Sequence, residues 1–140
     1  MKKNGKKELE HQIKDWVVRL DTLYRKIDRW RKRVPGTEAI PDKMQQLEEG
    51  LMKEYHIKPQ LVPTYTVLAG KNRVSFVPSL LWLYGAKGRI NVTTNKGQYT
   101  LMDLGKPETA SCDWQMVTPD FSKIFVPFNE DTFMKLLKRG

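Results

Sequence analysis

Gly85-Ala86-Lys87-Gly88, followed by Arg89, is the segment whose residue types come closest to a binding chemistry. Glycines on either side of a lysine let backbone amides approach a phosphate, and Lys87 and Arg89 would neutralise its charge. A plainer reading competes, because the same glycines serve any tight connection between strands. Trp82, Tyr84 and Tyr99 are close enough in sequence to supply stacking platforms beside those bases. Aromatics at alternating strand positions also fill cores, so the stacking reading has to compete with burial.

Carboxylates offer a second chemistry. Asp103, Asp113 and Asp120 could together hold Mg²⁺ for phosphodiester cleavage, with Lys123 nearby to stabilise charge. The acid-x-lysine element that such a site needs does not follow, and aspartates near turns bond local backbone instead. Histidine and cysteine add little: His11 and His56 are far apart, and Cys112 has no Cys or His beside it. No metal site and no cofactor are expected. The P-loop, the dinucleotide-binding glycine fingerprint, the nucleophile elbow and the zinc-binding HExxH motif are all missing. With no catalytic constellation in view, the chain is not expected to be an enzyme.

Charge narrows the partners. Residues 1–34 hold 12 Lys/Arg against 5 Asp/Glu, whereas residues 35–140 hold 13 against 11, so +7 of the net +9 lies in the first quarter. That polarity favours an anionic partner, and the phosphate-facing candidates are Arg25, Arg29, Lys32 and Arg33 with Lys87 and Arg89. The one cysteine cannot close an internal disulfide, and neither a signal peptide nor an apolar stretch of about 18 residues is present. A cytoplasmic protein that makes no membrane contact is expected.

The elements that must position these residues begin with a heptad. Leu9, Ile13, Trp16, Leu20, Leu23, Ile27, Trp30 and Val34 follow at intervals of 4, 3, 4, 3, 4, 3 and 4, which writes a long amphipathic helix over 8–34. Pro35-Gly36 stops it. Met44, Leu47, Leu51 and Tyr55 recur at 3, 4 and 4, predicting a second helix over 42–55 and, through the short connection, a helical hairpin. Residues 65–128 then change to β-branched and aromatic runs at 65–68, 73–77, 89–94, 98–104, 114–118 and 124–128, with a tight Asn95-Lys96-Gly97 hairpin turn. Residues 80–84 are read as strand. Asn129 caps a last helix within 129–139. The fold class is α+β: one domain, a helical hairpin packed on a mostly antiparallel sheet of about five or six strands, and a short C-terminal helix.

The heptad's flanks argue against a simple zipper. In a parallel pair Gln12 would face Val17, Arg19 would face Tyr24 and Lys26 would face Arg31, with no attraction among them. The second helix is too short to cover the stripe, so Trp16, Leu20, Leu23, Ile27 and Trp30 are left for the sheet or for a second copy. The first expectation is therefore a non-catalytic interaction or regulatory module that self-associates through helix 1 or binds another protein. The alternative is a nucleic-acid-binding protein using the basic face of that helix with the 85–89 loop, and a third is the metal-dependent nuclease. No small-molecule ligand is inferable.

Overall fold

The computed structural model describes residues 5–106, 109, 111–117 and 125–139, with the backbone alone at 41–44 and 139. Helix α1, Gly5–Lys32, is the expected long helix. Its end is fixed by chemistry as well as by Pro35-Gly36: the Val34 amide donates to the Arg31 carbonyl (2.9 Å), and the Thr37 hydroxyl donates to the carbonyls of Arg31 (2.8 Å) and Val34 (3.0 Å). Gly36 turns the chain with φ of +78°, a conformation that a side chain disfavours.

Among the described residues seven strands follow in one sheet, each antiparallel to the next and arranged in chain order: β1 Thr37–Leu47, β2 Gln60–Ala69, β3 Asn72–Leu80, β4 Arg89–Thr94, β5 Gly97–Asp103, β6 Trp114–Val117 and β7 Phe125–Pro127. Register sets which face is buried. Tyr65 faces Phe76, Phe76 faces Val92, and Ile90 faces Leu101, which faces Met116, so one continuous apolar surface runs across the middle of the sheet. α1 lies on that surface. Trp16, Leu20 and Ile27 are wholly buried, and Leu9, Ile13, Leu23 and Tyr24 are buried with them. The last helix, α3, Glu130–Arg139, closes the other end, where Phe133 packs against both Phe76 and Trp30. As expected, Asn129 caps it, its Oδ1 accepting from the Thr132 amide at 3.0 Å.

The α+β class stands, with the long helix, the antiparallel sheet and the C-terminal helix in the expected order. The helical hairpin does not. The first part of the segment predicted as a second helix, residues 42–47, belongs to the edge strand β1, and only α2, Gly50–Glu54, is helical. An extended ladder from Thr37↔Ala69 to Leu47↔Gln60, with one register shift between Pro41 and Met44, outweighs a local spacing that could be read either way. A proline and an irregularity in an edge strand also discourage further strands from adding there. Residues 81–88 are a loop holding one isolated Leu83↔Ala86 bridge, so the strand expected at 80–84 ends at Leu80. Residues 118 and 124, at the ends of the last two expected runs, lie outside the described residues.

Candidate functional site

Arg19 enters the core from the edge of α1's apolar stripe. Its guanidinium lies 4.9 Å from the ring centroid of Trp16, and the residue is only 6% exposed. A buried cation needs partners, and this one has three: Nη1 donates to Asp103 Oδ2 (2.7 Å), Nε to Asp15 Oδ2 (2.8 Å), and Nη2 to the carbonyl of Lys87 (3.0 Å). Asp103 is wholly buried, and its second oxygen accepts the amides of Gly105 and Asp113, each at 2.9 Å. Burial alone would raise the carboxyl's pKa, but the Asp113 and Gly105 amides together with Arg19 hold it below the usual carboxylate value.

The same network organises the loop that looked most like a phosphate cradle. The Lys87 amide donates to the Asp103 carbonyl (2.8 Å), and the Asp103 amide donates to the Gly88 carbonyl (3.1 Å). Lys87 Nζ donates to the carbonyls of Thr109 (2.7 Å) and Ser111 (2.9 Å), lacing the following loop down. Gly88 is needed because a Cβ there would collide with the Trp16 ring, and its φ of +150° disfavours any side chain. Arg89 belongs to the opposite face of the sheet, in register with Met102, where its Nε donates to Ser79 Oγ (3.0 Å). Lys87 and Arg89 are thus structural bases on different sides of the sheet and do not form one phosphate site.

What the network leaves open is a groove. Its volume is about 860 Å³, one wall being Glu8, Gln12 and Asp15 on the N-terminal half of α1 and the other the apolar run Leu81 to Tyr84. The loop wall is anchored at three points: Trp82 Nε1 donates to Gln12 Oε1 (2.7 Å), and the Leu81 and Trp82 amides donate to the Glu49 carboxylate (2.7 and 3.4 Å). Tyr84 stands at the lip with its side chain in solvent; at 105% it is fully exposed. Among the described residues lining the groove, Arg19 and Lys87 are already committed to internal acceptors, which leaves Glu8, the second oxygen of Asp15 and the His11 imidazole facing it.

A second knot joins the C-terminal half of α1 to β1 and β2. Tyr24 stacks on Tyr65 with ring centroids 5.4 Å apart, and its hydroxyl donates to the Pro63 carbonyl (3.0 Å). Tyr65 donates to Asp28 Oδ1 (2.6 Å), an oxygen that also accepts from Arg31. The Tyr65 hydrogen bond is the chief reason Asp28's pKa falls to about 2; burial opposes it and Arg31 and Lys32 assist. Burial and the Asp28 bond push Tyr65 up to about 12.

The remaining predicted residues separate. Trp16, Leu20, Leu23 and Ile27 form the core under the sheet, and Trp30 is half-buried between Phe128 and Phe133, so of the stripe expected to mediate self-association only part of Trp30 reaches the surface. Arg33 pairs with Glu130 (2.6 Å) and Lys32 with Asp28 (3.1 Å), while Arg25 and Arg29 are exposed and, among the described residues, have no ion-pair partner. Of the proposed carboxylate trio, Asp103 is buried and engaged by Arg19 and two amides, Asp113 is exposed, and Asp120, like Lys123, lies outside the described residues. Trp82 and Tyr84 belong to the groove, whereas Tyr99 is on the core-facing side of β5. Among the described residues, no three His, Cys, Asp or Glu side chains converge as metal ligands, and no helix is long and apolar enough to cross a membrane.

No family model, curated protein or solved structure matches this chain. Arg19, Gln12 and Glu49 escaped sequence reasoning; the signal that existed was Asp15 four residues before Arg19, an i,i+4 pair beside a buried tryptophan.

Proposed function

We propose that the protein is a non-catalytic interaction module whose partner protein inserts a short segment into the groove between α1 and the Leu81–Lys87 loop. The observation that carries this reading is Tyr84, a wholly exposed aromatic at the lip of a groove with an apolar wall. Groove volumes of roughly 300–1,000 Å³ accept a few side chains, and exposed tyrosines at such rims are common energetic anchors of interfaces. Charge selects the segment. With Arg19 and Lys87 internally bonded, Glu8 and Asp15 favour a lysine or arginine whose stem lies along Trp82 and Leu83 and whose head reaches a carboxylate.

The test is an amide-resolved NMR titration with a synthetic decapeptide alternating leucine and lysine and with its leucine–glutamate counterpart. Saturable shifts confined to 8–19 and 81–87 with the lysine peptide alone are expected. Tyr84→Ala should weaken the affinity about 30-fold, the equivalent of about 2 kcal/mol at an interface anchor. Equal binding of both peptides, or a Tyr84→Ala protein that binds like the parent, would reject the reading.

A further inference from the structure

Burying the apolar stripe of α1 leaves the opposite ridge of that helix in solvent, and the ridge carries its own spacing. Lys7, Lys14, Arg25 and Lys32 follow at intervals of 7, 11 and 7 residues. At 3.6 residues per turn these intervals keep all four within about 20° of one line along the helix. All four are exposed, as is Arg29, one turn beyond Arg25. Among the described residues Lys7, Lys14, Arg25 and Arg29 have no partner, and Lys32 makes one contact to Asp28 at 3.1 Å, a kind of pair worth little. The ridge is thus a straight row of cations about 37 Å long.

The row is divided. Lys7 and Lys14 form one group and Arg25, Arg29 and Lys32 another, with about 16 Å between Lys14 and Arg25. That gap is close to the width of the B-DNA major groove, about 12 Å, plus its flanking phosphates. Val18, which is 62% exposed, and Asp21 occupy the gap, so the acid lies over the groove rather than against a phosphate. Glu10 is the other exposed acid of this side. The ridge has no apolar row to insert into a lipid surface, because the apolar face of α1 is spent on the sheet.

We infer that the solvent ridge of α1 docks across the major groove of duplex DNA, with Lys7 and Lys14 on one phosphate strand and Arg25, Arg29 and Lys32 on the other. The contact is with backbone phosphates, so it is independent of base sequence. It uses neither the 85–89 loop nor the groove beneath Tyr84.

Fluorescence anisotropy with a labelled 20-base-pair duplex tests this across a salt series. Neutralising about five phosphates predicts a slope of log affinity against log salt near −4.5, which is a loss of about 500-fold between 50 and 200 mM. Arg25→Ala with Arg29→Ala should flatten the slope by about 2, and Lys14→Ala by about 1. Lys96→Ala, in the β4–β5 turn, should leave it unchanged. Circular dichroism would establish that each variant keeps the parent fold, as is expected for exposed positions. Tighter binding to duplex DNA than to single strands, duplex RNA or polyglutamate supports the inference. Absence of binding at low salt, a slope that ignores the ridge variants, or equal affinity for polyglutamate overturns it.

Discussion

Asp103→Asn keeps the shape of a wholly buried side chain and removes its charge, which isolates what the Arg19–Asp103 pair contributes. Breaking one member of a buried pair typically costs about 3–5 kcal/mol, because the other is left charged and dry. Arg19 would retain Asp15, which is 36% exposed, and the Lys87 carbonyl, so the lower end applies, about 3 kcal/mol. Arg19→Met leaves the Asp103 carboxylate with two amides and no cation, and about 4 kcal/mol is expected. With an unfolding entropy of about 0.3 kcal/mol/K for a chain of this length, these losses lower the melting temperature by about 10 and 14 °C. Calorimetry and urea unfolding measure both, and the double variant should fall short of their sum by at least about 1 kcal/mol, the mark of direct contact. The acid limb gives a second readout. Asp103's pKa is depressed in the folded state, so its contribution is complete above the ordinary carboxylate value and is lost as pH falls through the lower, folded value. In Asp103→Asn that part of the acid loss disappears. Single substitutions costing under about 1 kcal/mol, or costs that simply add, would refute the claim that this pair holds α1 to the sheet.

Two further perturbations follow from the same geometry. Gly88→Ala places a methyl group into the Trp16 ring at a φ of +150° and should cost about 2–4 kcal/mol, read as a lower urea midpoint with an unchanged slope. Tyr65→Phe removes the main cause of Asp28's low pKa, so a carboxyl-carbon NMR titration should find that pKa moved up from about 2 towards the ordinary value, and the stability that Asp28 loses as pH falls should be lost at higher pH; an unmoved pKa would contradict the assignment.

How much of this was legible depends on whether the deciding interaction is local. The α1 heptad was readable because a helix buries one face at a fixed period, so the spacing from Leu9 to Ile27 is itself a record of contact with the sheet. The Asn129 cap was readable for the same reason, since its acceptor and donor lie three residues apart. β1 was not. Its partners lie up to 32 residues away at Ala69, and the 3, 4, 4 spacing from Met44 to Tyr55 owes part of its regularity to α2, where Met52 is the buried residue instead of the predicted face. An edge strand covered on one side only carries a weak alternating pattern, which a neighbouring short helix easily obscures.

The binding candidates failed in a more instructive way. Lys87 has the composition of a phosphate ligand, but a lysine's role depends on what surrounds its amine, and here that is two carbonyls brought in from 109 and 111. Asp103 has the composition of a metal ligand, but 84 residues of chain separate it from the cation that claims it. Arg19 was the least conspicuous of the three, one more base on a basic helix, and it is the residue that ties both walls of the groove together: Asp15 on α1, the Lys87 carbonyl on the loop, and Asp103 beneath. The groove's width is therefore coupled to the buried pair, so the stability lost in Asp103→Asn and the peptide affinity that rests on Tyr84 should fall together, whereas Tyr84→Ala should lower affinity alone. Charge in this chain thus divides by depth: Arg19, at the border of the apolar stripe, holds the fold, whereas Lys7, Lys14, Arg25 and Arg29 on the far ridge of α1 stand in solvent and pair with no described residue.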